Sequence, residues 1–204
     1  MKLYYARGAC SLSSHIALRE AGATFDLVRV DTKTKLMDAG ADFRTVNPNG
    51  YVPVLELDSG ERLSENAAIL QYIADTYPAA NLAPPPGSMA RYRMLEWLTF
   101  ITSEVHKGYS PLFNPATPED YKSITRERLA GRLAYVDQKL AGRQYLLGDT
   151  FSAADTYLFV CVNWSGAVNV DVSAFANLQA FQARVAARPA AQAAMQAEGL
   201  IKKA

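Results

Sequence analysis

Three consecutive prolines, Pro84-Pro85-Pro86, followed by Gly87, interrupt this chain of 204 residues. No helix runs through them, because each lacks a backbone N–H and disfavours helical geometry in its predecessor. Residues 79–87 are therefore read as a linker. The patterns on its two sides differ: short strand-like and helical runs alternate before it, and only helical spacings follow it.

Lys2 to Tyr5 reads as a strand, Ser11 to Glu20 as a helix stopped by Ala21-Gly22, and Asp26 to Val30 as a second strand. Strand, helix and strand within about 30 residues make a βαβ unit with a parallel pair. After a polar, poorly patterned stretch from Asp31 to Phe43 comes Asn47-Pro48-Asn49-Gly50-Tyr51-Val52-Pro53, dense in turn residues. Val54 to Leu57, the turn Asp58-Ser59-Gly60, and Arg62-Leu63 form a hairpin; Glu65 to Tyr77 has helical spacing and stops before Pro78. The order β, α, β, loop, β, β, α predicts an α/β thioredoxin-like domain over 1–78, followed by an all-α domain over 88–204. The second part carries one stripe through Met94, Leu95, Leu98, Ile101, Thr102 and Val105, another through Ile124, Leu129, Leu133, Val136 and Leu140, and a third through Phe175, Leu178, Phe181 and Val185. Ser152 and Asp155 have the spacing of a capping box opening the apolar run Tyr157 to Val162.

Half the residues are hydrophobic and a fifth are charged, so a chain of this length builds its core without a disulfide framework or structural metal. Lys and Arg total 21 against 20 Asp and Glu, a formal charge of +1. That balance offers no global field for nucleic acid or anionic lipid, so an anionic ligand has to be held locally. Charged residues interrupt every window approaching the roughly 18 apolar residues of a membrane span. Met1 to Tyr5 lacks the apolar core of a secretory signal, so a cytoplasmic location is expected. The two His and two Cys have no chelating spacing, and neither GxxxxGK[ST] nor GxGxxG occurs; no metal and no nucleotide cofactor are expected.

The most informative single position is Cys10, between strand one and helix one. A thiol at a helix N-terminus lies against unsatisfied N–H groups, which favour its thiolate. Position 13, where a Cys-x-x-Cys redox pair would have its second cysteine, is Ser, so any disulfide chemistry at Cys10 involves an external thiol. Pro53 stands where thioredoxin-like folds keep a cis peptide, leaving the Val52 backbone available to a peptide-like ligand. Ser64-Glu65-Asn66 opens the next helix, where backbone N–H groups suit a carboxylate and Glu65 an ammonium. An ordinary helix cap and an ordinary turn are the alternatives. His15, five residues beyond Cys10, reads as a packed or surface imidazole, and His106-Lys107 as cations ending a helix.

Cys10 after Tyr-Tyr-x-x-Gly-Ala, the loop Asn47 to Pro53, the helix start Leu63 to Ile69, and Leu147-Gly148-Asp149-x-Phe-Ser152-x-Ala-Asp155 together resemble a bacterial glutathione S-transferase of the beta class. The likeness runs nearly end to end. It implies a homodimer, glutathione as cosubstrate rather than a cofactor, and apolar electrophiles as the other substrates. It implies that Cys10 meets the glutathione sulfur, Val52 beside Pro53 pairs with the cysteinyl part, Glu65 and Asn66 hold the γ-glutamyl end, and Lys35 approaches the glycine carboxylate. Thr99, Ser103 and Glu104 resemble contacts made to glutathione from the neighbouring subunit. His106 and Lys107 fall near the sulfur, with Tyr5 and Ser11 as further candidate thiolate stabilisers, and Tyr109, Leu112, Phe113 and Trp164 as the electrophile pocket or as ordinary packing. Ala6-Arg7 stands where Ser-Pro is expected, Asn66 where Ser or Gly is commoner, and Thr99 where Asn is usual. The activity this implies is conjugation of the glutathione thiolate to apolar electrophiles, with glutaredoxin-like exchange through Cys10 and non-catalytic carriage of hydrophobic ligands as the alternatives.

Overall fold

The computed structural model describes residues 1–202, which group into two compact units. One is Met1–Ala83 together with the segment from Arg188 onward; the other is Pro84–Ala187. The far end thus differs from the expected helical region 88–204, because the segment from Arg188 packs with the first unit.

In the first unit, β1 (Lys2–Tyr5), β2 (Asp26–Arg29), β3 (Val54–Glu56) and β4 (Arg62–Ser64) form one sheet in the order β2-β1-β3-β4. β1 runs parallel to β2 and antiparallel to β3, with Leu3 opposite Leu55 and Tyr4 opposite Val54. Alternation sends the two leucines to one face and Tyr4 and Val54 to the other. The Tyr4 face is covered by Val30 and Phe43, and the Tyr4 and Phe43 rings lie 5.7 Å apart. Phe43 falls in the stretch that reads as polar and unpatterned, yet it is fully buried. A lone aromatic has no period to betray it. A short 3-10 turn, Phe43–Thr45, delivers it, capped by the Asp42 carboxylate accepting the Arg44 N–H.

Helix α1 (Ser11–Glu20) packs against α2 (Asn66–Thr76) and against α8 (Pro189–Ala197). Every residue of α1 from Ser11 to Leu18 is buried, including four polar ones. Arg188, at the start of α8, donates to both carboxylate oxygens of Glu20 at 2.6 and 2.8 Å, at the end of α1. That pair sets α8 antiparallel to α1.

The second unit holds α3 (Met89–Phe100), α4 (Lys107–Phe113), α5 (Glu119–Leu140), α6 (Ala153–Asn163) and α7 (Ala176–Ala186). α6 is buried from Ala153 to Val162, as a helix apolar on all sides must be. The second predicted stripe is corrected at its start: Ile124 is 61% exposed and Thr125 takes the inward position. The Thr125 hydroxyl donates to the Tyr121 carbonyl of the preceding turn, which satisfies it there.

The Asp155 carboxylate takes the Ser152 N–H at 2.7 Å, the Ser152 hydroxyl at 2.8 Å and the Leu146 N–H at 2.8 Å. It caps α6 and also ties down the preceding loop. Asp155→Ala strands three buried donors, so urea denaturation is expected to show a stability loss of roughly 2–4 kcal/mol. A loss below about 1 kcal/mol, the cost of an isolated cap, would mean that these donors find other partners.

Candidate functional site

Cys10 occupies the position just before α1 and is partly exposed. Its Sγ donates to the Val52 carbonyl at 3.3 Å, across 42 residues of sequence. The Val52–Pro53 peptide is cis. The two positions singled out separately in the sequence therefore meet within one hydrogen bond.

Polar residues along α1 hold this end of the helix. The Ser11 hydroxyl accepts the Ala6 N–H at 3.1 Å and donates to the Ala6 carbonyl at 3.2 Å, closing the loop before Cys10. Ser11 is fully buried, so its expected role toward the sulfur is replaced by a structural one. Ser13 donates to the Cys10 carbonyl and accepts from the Asn66 amide, both at 2.7 Å, while Ser14 donates to the Asn66 carbonyl oxygen at 2.7 Å. Both ends of the Asn66 side chain are thus turned inward; only its backbone can serve a ligand. Tyr5 is buried in the sheet, and burial, followed by the nearby Glu198 and Asp38 charges, raises its phenol pKa. Tyr5 is therefore a core residue that stays protonated.

Glu65 has φ of 67°, a left-handed conformation rare for a residue with a side chain. It precedes α2 without capping it, and its side chain is exposed. The cap alternative for this position is therefore set aside. Lys35, also at positive φ, donates to the Gly50 carbonyl at 2.9 Å with its ammonium 5.6 Å from the Tyr51 ring centroid. Gly50 has φ of 65°, and a Cβ there would come within 3.3 Å of the Lys35 side chain. A side chain at 50 would push the ammonium away from the Val52 loop.

In the second unit the helical path does not end at His106-Lys107. α3 passes into a π-helical segment, Ile101–His106, and then into α4. Thr102 and Ser103 donate to the Leu98 and Thr99 carbonyls at 2.8 and 3.0 Å, supporting the widened turn. Such segments commonly sit at functional positions, and this one carries Ser103, Glu104 and His106. Thr99, Ser103 and Lys107 are exposed. Glu104 is held within the unit by Arg132 at 2.7 Å and Arg128 at 3.6 Å, which occupies the carboxylate expected to meet glutathione.

His106 Nδ1 lies 2.6 Å from the Tyr157 hydroxyl, and its ring meets Trp164 edgewise at 5.0 Å. Burial, aided by the adjacent Lys107 charge, pushes its pKa down to about 4. The imidazole is neutral at pH 7. The Tyr109 hydroxyl bonds to Ser165 at 2.6 Å, burial raises its pKa, and both Tyr109 and Leu112 lie in the core. The Tyr109 ring meets Trp164 edgewise at 5.6 Å. Phe113, half exposed, and Trp164 form the outward part of this aromatic group, with ring centroids 5.8 Å apart. Local sequence signals missed Glu198, which is buried beside His15 and Gly8. Its only cue was an acidic residue closing an alanine-rich helix.

Comparison with known proteins gives a consistent result. Residues 8–76 match the family model for the N-terminal domain of glutathione S-transferases, and residues 100–189 match that for the C-terminal domain. The chain is 46% identical to the glutathione S-transferase GstA of Escherichia coli O157:H7, over 98% of this chain and 100% of that protein. Among solved structures it is similar to a sphingomonad glutathione S-transferase complexed with glutathione, at 51% identity and a TM-score of 0.95 over 98% of this chain and 100% of that one. It is likewise similar to a beta-class glutathione S-transferase of Sphingomonas chungbukensis, at 49% identity and a TM-score of 0.96 with the same coverage. By sequence over its whole length and by fold, the chain belongs to the glutathione S-transferase family.

Proposed function

We propose that this glutathione transferase holds glutathione on its first unit, with the sulfur at Cys10 and the cysteinyl backbone along Val52 beside Pro53. The observation that carries this reading is the 3.3 Å bond from the Cys10 thiol to the Val52 carbonyl. It puts a sulfur-directed group and a peptide-directed group one bond apart. Glutathione carries a carboxylate at each end, with an ammonium beside the γ-glutamyl one, and the chain has no net field to attract it, so local groups do the work. Lys35 takes the glycine carboxylate. The exposed Glu65 carboxylate takes the γ-glutamyl ammonium, and the N–H groups opening α2 take its carboxylate.

The reaction is attack of the glutathione thiolate on an electrophilic carbon: the C–S bond forms, the leaving group departs with its electron pair, and the thiol proton is given up to solvent. Lowering the thiol pKa from about 9 to about 7 raises the thiolate fraction at neutral pH by roughly two orders of magnitude, about 2.7 kcal/mol of differential stabilisation. Hydrogen-bond donors supply that stabilisation, foremost the N–H groups opening α1. His106, being neutral, offers no imidazolium to a thiolate. Apolar electrophiles are assigned to Phe113 and Trp164. The protein works as a homodimer, in which the exposed Thr99 and Ser103 of one copy reach the glutathione of the other. A second reading, thiol exchange, is favoured by the partial exposure of Cys10: its thiolate attacks a glutathionylated disulfide, forming a mixed disulfide and releasing the other thiol.

Cys10→Ala separates the two. Conjugation of chlorodinitrobenzene is expected to survive at about a tenth or more of wild type, whereas reduction of a glutathione mixed disulfide disappears. Loss of both with glutathione affinity intact would make Cys10 essential to conjugation and contradict the donor-based account. Lys35→Ala is expected to raise the KM for glutathione by about fivefold with kcat within twofold, since a carboxylate contact far from sulfur supplies uniform binding. A selective fall in kcat would remove Lys35 from that role.

The pH behaviour of His106 follows from its burial. The unfolded imidazole binds its proton near 6.5 and the folded one near 4. The unfolded state therefore binds more protons between those values, and stability falls as pH drops through that window and is unaffected by His106 above pH 7. Proton NMR of the His106 ring is expected to show a midpoint near 4; a midpoint at 6 or above would return His106 to a cationic role.

A further inference from the structure

The turn that follows α8 closes over the loop carrying the thiol. The Glu198 side chain is fully enclosed, and both of its oxygens are engaged. Oε1 lies 2.9 Å from His15 Nδ1, and Oε2 accepts the Gly8 N–H at 2.9 Å. Arg19 Nε donates to His15 Nε2 at 2.9 Å. That nitrogen therefore carries the lone pair, and His15 presents its N–H to the carboxylate. Glu198 thus accepts one N–H from helix α1 and one from the backbone two residues before Cys10. Alongside, the Arg7 guanidinium donates to the Gly199 carbonyl, and a Cβ on Gly8 would come within 3.2 Å of Leu200. Three consecutive residues, Glu198, Gly199 and Leu200, hold Arg7 and Gly8.

Packing alone does not call for a carboxylate here. Burying a charge is costly, and an apolar side chain of similar size would fill the same space at lower cost. An apolar side chain has no directional bond to the Gly8 N–H, and that bond is what the carboxylate adds. The anchorage of α8 does not depend on it either, because Arg188 and Glu20 fasten the other end of the helix. The network at Glu198 acts on the Arg7–Cys10 loop.

We propose that Glu198, oriented by His15 and Arg19, is a positioning residue that fixes the loop before Cys10 and so the approach of the Cys10 thiol to glutathione. The inference rests on the role given to Cys10 above. Without these bonds the loop loosens, the thiol leaves the Val52 carbonyl, and the glutathione side of the reaction suffers while the electrophile side does not.

The test uses the full-length protein with Glu198→Gln, which keeps the volume but cannot accept both N–H groups. Iodoacetamide alkylation of Cys10 without glutathione reports the loop directly, since Cys161 is fully buried. The expected result, with native circular dichroism, is alkylation at least about threefold faster and a glutathione KM raised about fivefold, with the KM for chlorodinitrobenzene within about twofold of wild type. Glu198→Asp, which retains the carboxylate, recovers part of both changes. Arg7→Ala, at an exposed residue that cannot threaten folding, shifts both readouts the same way by about twofold. Wild-type alkylation and KM values in a folded Glu198→Gln protein with only a lowered Tm would overturn the proposal. So would wild-type behaviour of Arg7→Ala if Glu198→Gln does not fold. Should the wild-type protein turn over no glutathione, the reading of Cys10 as a glutathione contact fails, and the alkylation rates still decide whether Glu198 positions the loop.

Discussion

Helix α1 is buried from Ser11 to Leu18, and a buried helix cannot leave its polar side chains without partners. Together the four draw in three parts of the first unit. Ser11 closes on Ala6, Ser13 and Ser14 clamp Asn66 at the start of α2, and His15 meets Glu198 beyond α8. The sheet, the second helix and the end of the chain are thereby referred to one helix, and Cys10 stands at its head. Hydrophobic burial of Leu12, Ile16 and Leu18 supplies the larger share of the stabilisation. The polar bonds add direction, which apolar contacts lack, and direction is what a reacting thiol needs.

Much of the fold was legible because it is local. The βαβ order, the hairpin and the extents of α1 and α2 follow from periods of two and three to four residues with turn residues between them. The capping box at Ser152 and Asp155 needed only a spacing of three. Phe43 was not legible, since an isolated aromatic between polar residues carries no period. Ile124 was misplaced by one position, because apolar identity alone does not tell an exposed isoleucine from the buried threonine beside it.

The site was legible in outline and less so in the part each residue takes. Cys10 and Val52 could be named because each sits at a recognisable junction, yet nothing in a one-dimensional pattern says that the Ser11 hydroxyl and the Asn66 amide turn inward. His106-Lys107 read as a helix end because cations favour that position, while the π-helical segment that carries the helix onward has no composition of its own. The link from His15 to Glu198 spans 183 residues and lies beyond any local signal.

The central claim is that glutathione lies along Val52 with its sulfur at Cys10. A crystal structure with glutathione bound tests it most directly. The account predicts the glutathione sulfur within about 4 Å of Cys10 Sγ, with the cysteinyl backbone hydrogen-bonded to Val52. A sulfur directed elsewhere, with the Cys10 thiol still bonded to the Val52 carbonyl, would contradict it.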